Sequence, residues 1–395
     1  MAITRGICSG LALVCGLAAT VPGATPRPRQ SFSAIDAAVR RGIQRGVYPG
    51  AVVIIGRRDR VLYARGFGHF TWSRRSPVPR PESTLWDLAS LTKVVATTSS
   101  VMRLVDAGRV DLEAPVARYL PRFAGGPRDS VTVRMLLDHT SGLRSYLPLF
   151  RLATSRAQAI DLLYAEPLSR PPGASAEYSD LNAMLLGLLV ESVAGVPLDR
   201  FAEREVFHPL RMRDTRFLPP RSRAARIAPT GLVRGQPTQG EVNDLNAAIF
   251  GGVAGHAGLF STGADLARFA QTWLRRGQGP SGPWVSAATI THFLTPGAHS
   301  GTRLLGWDTP DSTADEPSVF GRLISAATYG HTGWTGTELW VDPANDLFLV
   351  FLTNRSFDPR RRESIKELRL VRSALSNAVA RLVPRACPQD LVARC

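Results

Sequence analysis

Strand-like patterning lies at the two ends of this chain and helical patterning fills the middle, which constrains the fold more than any local motif does. Near the start, the apolar runs Ala51 to Arg57 and Val61 to Gly66 meet at Arg58-Asp59, which is hairpin patterning. Near the end, Thr337 to Val341 and Leu347 to Thr353 flank Asp342-Pro343-Ala344-Asn345-Asp346, and a long helix is predicted from about Arg361 to Leu382. One helix near Ser33 to Arg45 precedes the first strands. Between the strand regions, helical periodicity covers Val94 to Ala107, Val133 to Leu137, Ser155 to Tyr164, Leu181 to Ala194, Leu198 to Val206 and Ala264 to Leu274. Loops rich in Gly and Pro separate these segments. The two chain ends are therefore expected to share one antiparallel sheet with a mainly helical lobe inserted, an α+β fold. An α/β lobe would take residues from about 31–92 and 320–383, and the helical lobe about 93–319.

Lys93 is one of only two lysines in the chain, the other being Lys366; every other member of the 48 basic residues is arginine. Where arginine replaces lysine almost everywhere, a retained lysine suggests chemistry that a guanidinium cannot do, namely losing a proton near neutral pH. Lys93 stands three residues after Ser90 in Leu88-Ala89-Ser90-Leu91-Thr92-Lys93, and on a helix such residues share a face. A hydroxyl beside an amine that can be neutral is an activated nucleophile. The run from Val94 to Val105 is apolar and would open a helix at about Ser90, whose N-terminal potential favours an oxyanion and disfavours a charged Lys93. Lys366, by contrast, lies in a mixed-charge helical pattern that reads as a solvated face.

A chain of 395 residues with 44% hydrophobic content can bury a substantial core. The formal charge of +16 comes from scattered arginines without any nucleic-acid-binding signature, so no nucleic-acid partner is expected. A solvated basic surface meeting anionic envelope polymers fits that charge better. Neither Gly-x-Ser-x-Gly nor His-Glu-x-x-His occurs, which argues against a nucleophile elbow and against a helical zinc-peptidase site.

The N-terminus reads as an export signal. After Arg5, Ile7 to Ala19 is apolar but too short to span a bilayer, and small residues follow up to Ala24. Residues 1–24 would then be removed, leaving one domain over 25–395 in a periplasmic or extracellular compartment, with no transmembrane segment. Val14 before Cys15 is a poor match to a lipidation site. Cys387 and Cys395 would remain as a pair that is either bridged or free in the tail.

Two further segments turn the Ser-Lys pair into a constellation. Tyr178-Ser179-Asp180 directly precedes the helix Leu181 to Ala194, where Ser179 or Asp180 could simply cap it. His331-Thr332-Gly333 lies in a glycine-rich stretch leading into the strand Thr337 to Val341. Taken in order, Ser90-Leu-Thr-Lys93, Tyr178-Ser-Asp180 and His331-Thr-Gly333 resemble the motifs of the class C β-lactamase and penicillin-binding-protein superfamily of serine hydrolases. Leu136-Leu137-Asp138-His139-Thr140-Ser141-Gly142-Leu143 and Gly251-Gly252-Val253-Ala254-Gly255-His256-Ala257-Gly258-Leu259-Phe260 resemble segments of its esterase-like and cell-wall-peptidase-like members.

The resemblance implies a β-lactamase/DD-peptidase-like fold and no metal or organic cofactor. Ser90 would be the acylated nucleophile, and Lys93 and Tyr178 would share its proton as one titrating unit. The backbone N–H groups of Ser90 and Trp334 would form the oxyanion hole. Asp180, His331, Thr332 and Gly333 would border the substrate. His139 is expected to fix the turn at Thr140-Ser141-Gly142, and His256 to border the cleft. Two departures shape the expected chemistry. His331 stands where β-lactamases usually carry lysine, and Asp180 where asparagine is usual, exchanging an amide donor for negative charge unless it points away as a cap. The leading expectation is an exported hydrolase of small esters or amides. A D-alanyl-D-alanine carboxypeptidase acting on cell-wall peptide, a weak β-lactamase and an idle peptide or β-lactam receptor are the alternatives.

Overall fold

Five strands form one antiparallel sheet: Gly50–Gly56 (β1) and Val61–Gly68 (β2) from the start of the chain, and three from its end. The computed structural model describes Ala2 and residues 31–233, 235–311, 318–358, 360 and 364–383. Apart from Ala2, the expected leader lies outside the described residues, as do both C-terminal cysteines. The chain divides into Met1–Ser31 and one compact unit, Phe32–Cys395.

Inside that unit β1 is the hinge of the sheet, because a seven-residue run without a charge is suited to burial on both faces. It pairs on one side with β2. The short strands Trp86–Asp87 (β3), Arg216–Phe217 (β4) and Leu259–Ser261 (β5) form a separate sheet in the order β3-β5-β4. The C-terminal strands Tyr329–Thr332 (β6), Glu338–Asp342 (β7) and Leu347–Thr353 (β8) complete the large sheet in the order β6-β7-β8-β1-β2. In the β1–β8 register Val53 faces Phe351 and Ile54 faces Val350.

The period of two splits the side chains between two cores. Ala51, Val53, Ile55, Leu349 and Phe351 pack with the helices Ser33–Gln44 (α1) and, near the C-terminus, Ser364–Ala380, through Val39, Leu368 and Leu375. Val52, Ile54, Val350 and Leu352 face the opposite way, into a larger core shared with the helices of the middle of the chain. Those helices include a π-helical turn Lys93–Thr98 running into Ser99–Asp106 (α2), then Asp180–Ala194 (α3) and Gly263–Leu274 (α4). The C-terminal helix Ser364–Ala380 is α5.

The helix expected to open at about Ser90 begins directly after it: Ser90 sits in a turn, and the Lys93 N–H bonds to the Ser90 carbonyl at 3.0 Å. One local expectation is corrected. His331 and Thr332 are not a loop leading into a strand but lie on β6, opposite Leu339 and Glu338 of β7. The aromatic ring of Tyr329, two residues earlier on the same face, packs 5.2 Å from Trp307 and 5.8 Å from Trp273, which roots β6 in the core.

Candidate active site

The segment carrying Ser90 is built around a strained turn. Asp87 ends β3 fully buried, and its carboxylate accepts the N–H groups of Ala89 at 2.9 Å and Asn243 at 2.7 Å. Burial raises its pKa to about 6 against the pull of those donors. Ala89 is held at φ 47°, a left-handed conformation that costs a residue with a Cβ about 1–2 kcal/mol. Ser90 follows immediately.

Three groups surround the Lys93 amine: Ser90 Oγ at 2.9 Å, the His256 carbonyl at 3.2 Å and Asp180 Oδ1 at 2.7 Å. The first two accept hydrogen bonds from the ammonium, and Asp180 faces it as an ion-pair partner. Burial by itself would push Lys93 down, yet the Asp180 carboxylate, aided by Tyr178, outweighs it and holds the lysine above its ordinary value. Burial and the helix terminus, the local influences on Lys93, are thus joined by a counter-ion that comes from a distant part of the chain.

The second motif is set by His139 and the start of α3. Tyr178 Oη donates to Ser90 Oγ at 3.0 Å. Its ring lies 4.9 Å from His139 and 5.9 Å from His331, between centroids, with the Lys93 ammonium 5.0 Å from the ring centre. Burial raises the phenol's pKa and Asp180 adds to that, while Lys93 opposes it. Ser179 does not cap α3, because its hydroxyl donates to the Arg144 carbonyl at 2.6 Å; Asp180 does not cap it either and points at Lys93. His139 Nδ1 accepts from the Ser179 N–H at 3.1 Å and faces the Asn182 amide at 3.2 Å. Burial, reinforced by Arg303 and Lys93, keeps this imidazole neutral. His139 thus orients the Tyr178 segment as well as belonging to the turn after it.

The third motif closes the site from the sheet edge. Gly333 to Gly336 make a tight turn between β6 and β7, with the Gly333 N–H on the Thr337 carbonyl at 2.8 Å. Thr335 Oγ1 donates to the Asp87 carbonyl at 2.7 Å and Thr337 Oγ1 to the Leu88 carbonyl at 2.8 Å, stitching this hairpin to the Ser90 turn. Only glycine fits at 333, since a Cβ there would stand 2.5 Å from the Leu88 carbonyl. Among the described residues, the backbone N–H groups of Ser90 and Trp334 donate to no protein acceptor, so both remain available to an oxyanion. Arg372 of α5 supports the hairpin from behind, donating to the Gly333 and Thr337 carbonyls at 3.0 and 2.7 Å. Against it lies fully buried Glu338, 4.0 Å away, whose pKa burial raises to about 8.

His331 directs Nδ1 to the Thr332 carbonyl at 2.8 Å, which assigns the ring proton to that nitrogen. Burial, with the Lys93 and Arg303 cations nearby, holds it well below its ordinary pKa, so it carries no charge at neutral pH.

Ser90, Tyr178, Asp180, His331, Thr332, Gly333 and Trp334 all line one cleft of about 680 Å³. Arg303 enters the same cleft, its guanidinium 5.2 Å from the centre of the Tyr178 ring and 3.3 Å from Asp308. The loop holding them joins the sheet edge, since Asp308 exchanges backbone hydrogen bonds with Gly330 at 2.9 and 2.8 Å. His256 lies beneath the cleft rather than bordering it, fully buried, with Nε2 3.0 Å from Asp244. Burial raises Asp244, but His256 reverses the shift and its pKa falls to about 2.

The Beta-lactamase family profile matches residues 35–373. The chain belongs to that family. A protein of Escherichia coli (strain K12), provisionally named D-alanyl-D-alanine carboxypeptidase, is 34% identical over 346 residues, spanning 79% of this chain and 80% of the relative. An N-acetylmuramyl-L-alanine amidase of Bacillus subtilis (strain 168) is 34% identical over 359 residues, covering 82% and 81%. Among solved structures, the hydrolase EstCE1, described as having promiscuous acyltransferase activity, superposes with a TM-score of 0.69 at 23% identity over 88% of this chain and 98% of its own. A penicillin-binding-protein homologue from Caulobacter crescentus gives 0.69 at 22% identity over 89% and 97%. The expected α+β fold of this family is therefore the observed one, and the chain is a member of a family of serine hydrolases.

Within this beta-lactamase-family fold, Ser90, Tyr178, Asp180, His331, Thr332, Gly333 and Trp334 fall at the cleft, whereas Lys93 and His256 lie beneath it. Arg303 was missed, since no local motif marks it among the arginines. So was the link from Asp244 through His256 to the carbonyl under Lys93; the glycine-rich loop was its one visible sign. Gly255 in that loop lets the chain pass so close to α3 that a Cβ would stand 1.9 Å from the Ala183 carbonyl.

Proposed function

We propose that this protein is an exported acyl-serine hydrolase of small amides that end in a carboxylate, of the D-alanyl-D-alanine peptide class. In this reading Ser90 Oγ attacks the scissile carbonyl and its proton passes to the Tyr178–Lys93 unit. The N–H groups of Ser90 and Trp334 take up the oxyanion, and the unit returns a proton to the departing amine. Water then releases the acyl group from Ser90 by the reverse path.

The observation that carries the substrate class is Arg303. His331 is neutral and cannot hold a carboxylate by charge, but a guanidinium stands in the same cleft beside Tyr178. The names of the relatives point towards cell-wall peptides, and the leader-like residues 1–24 support a site of action outside the cytoplasmic membrane. A neutral-ester reading is favoured by the exposed apolar side chains of Tyr146, Leu245 and Trp334 along the cleft, which suit an apolar acyl group.

The test is release of free D-alanine from an N-acylated peptide ending in D-alanyl-D-alanine, with Ser90→Ala as the blank. Release that disappears in the variant is expected. Turnover of neutral esters by a Ser90 that labels with fluorophosphonate, with no D-alanine released, would replace the peptide reading by the ester one.

A further inference from the structure

Asp180 occupies a position where its charge has a single close partner. The Lys93 side chain is almost fully buried, at 4% exposed, and the Asp180 carboxylate is its only ionic partner within 4 Å among the described residues. The carboxylate does not serve α3 as a cap; the Asp180 N–H bonds to the Ser145 carbonyl at 2.9 Å, which holds the residue in place through its backbone.

We propose that Asp180 is the counter-ion of Lys93, keeping it an ammonium in the free enzyme and so setting the pH above which Ser90 can be acylated. This rests on the reading of Ser90, Lys93 and Tyr178 given above. Ser90 Oγ meets two donors at rest, the ammonium at 2.9 Å and the phenol at 3.0 Å. While both stay protonated, neither can take the serine's proton, so the unit must first release one. A carboxylate 2.7 Å from the amine opposes that release, whereas asparagine at the same place would keep the contact and remove the opposition.

The other groups facing Lys93 do not replace this effect. From the helical lobe, His139 is neutral, Tyr178 favours the ammonium alongside Asp180 but after it, and the Asp244 carboxylate couples to Lys93 only from behind His256, which itself gives Lys93 a carbonyl. From the sheet, His331 is neutral, and the Arg303 and Arg372 cations that help to keep it so add no negative charge beside Lys93. Glu338, behind the hairpin, is held protonated towards neutral pH by burial.

The chain's two lysines make a direct measurement possible. With [¹³Cε]lysine in the full-length protein, NMR gives one resonance for Lys93 and one for Lys366, assigned through Lys366→Arg. The Lys93 signal is expected to stay in its ammonium position through pH 9 in the wild type; a neutral amine at pH 8 would overturn the proposal without any variant at the site. In parallel, fluorophosphonate labelling of Ser90 is followed from pH 5 to 10. Asp180→Asn should move the acid limb of the labelling rate down by about 1–3 pH units, the size of a direct ion-pair effect, and Asp180→Glu should restore the wild-type limb. Coincident limbs for wild type and Asp180→Asn, or an upward move, would overturn it. Loss of labelling at all pH values in a folded Asp180→Asn protein would do the same, because Asp180 would then act by anchoring Lys93 rather than through its charge. Absence of labelling in the wild type would reject the acyl-serine reading itself.

Discussion

Replacing Arg303 by alanine should separate substrates by a single charge. Its guanidinium stands over the Tyr178 ring and against Asp308, with 22% of the side chain exposed. It is therefore desolvated enough for a hydrogen-bonded ion pair with substrate to count. Such a charge-assisted bond contributes about 1.5–3 kcal/mol, or about 10- to 150-fold in kcat/KM. Two side effects must be removed from the comparison. Loss of a cation near the Tyr178 ring slows acylation of every substrate alike. Loss of the guanidinium also lets Asp308, whose pKa burial already raises, move further towards its neutral form, so it adds little repulsion. Both cancel in a ratio. The assay is kcat/KM for a thioester or depsipeptide with a free terminal carboxylate, divided by the value for the same compound with that carboxylate amidated. Arg303→Ala should lower the ratio about 10- to 150-fold, and Arg303→Lys by less, since a point charge replaces the planar fork. A ratio that does not move would show that the carboxylate is bound elsewhere or not at all.

Three further outcomes are expected. Lys93→Arg keeps a cation beside Asp180 but removes a group able to give up its proton, so fluorophosphonate labelling of Ser90 should fall by about 10²–10⁴-fold; near-normal labelling would eliminate lysine as part of the base. Gly333→Ala forces the β6–β7 turn away from the Leu88 carbonyl and with it the Trp334 N–H, so kcat should drop by about 10²–10³-fold with the fold retained, as circular dichroism would report. Glu338, with a folded pKa of about 8 against an ordinary 4.5, keeps its proton in the native state while the unfolded chain loses it, so stability falls as pH rises from 4.5 to 8. Glu338→Gln should remove about 2–5 kcal/mol of that decline, seen as a smaller drop in Tm between pH 5 and pH 9 than the wild type shows; equal drops would refute it.

The sheet was legible because both halves carry the same signal: uncharged runs such as Gly50–Gly56 and Leu347–Thr353 have to be buried on both faces, wherever they fall in the chain. Ser90 and Lys93 were legible because three residues span one turn, here the turn closed by the Lys93 N–H on the Ser90 carbonyl just before the π-helical segment. What escaped was set by residues far apart in sequence. Burial and a helix terminus are local influences on Lys93, whereas its counter-ion arrives from the start of α3. β6 carried no apolar alternation beyond Tyr329, since His331 and Thr332 face the cleft that they border. Ala89 adopts a left-handed conformation without the glycine that would have announced it, and the cause is the Asp87 carboxylate bonded to its N–H.

These anchors divide the site into two mechanically distinct parts. The Ser90 turn and the Trp334 hairpin are tied to each other through Thr335 and Thr337, and both rest on the sheet. Attack geometry and oxyanion geometry therefore belong to one rigid piece, as a reaction sensitive to displacements of about 1 Å requires. Tyr178 and Asp180 belong to the other piece, held by His139, Arg144 and Ser145 at the start of α3. Lys93 bridges the two, rooted in the chain that follows Ser90 but ion-paired with Asp180 and hydrogen-bonded to the His256 carbonyl. A small shift of α3 relative to the sheet would leave the oxyanion donors where they are and change the distances along which the serine's proton travels. Substrate contacts with the helical lobe thus act on proton transfer, while contacts with β6 act on the charge of the tetrahedral state. It follows that substitutions along α3 should alter the pH dependence of acylation, and substitutions in the hairpin its rate at every pH.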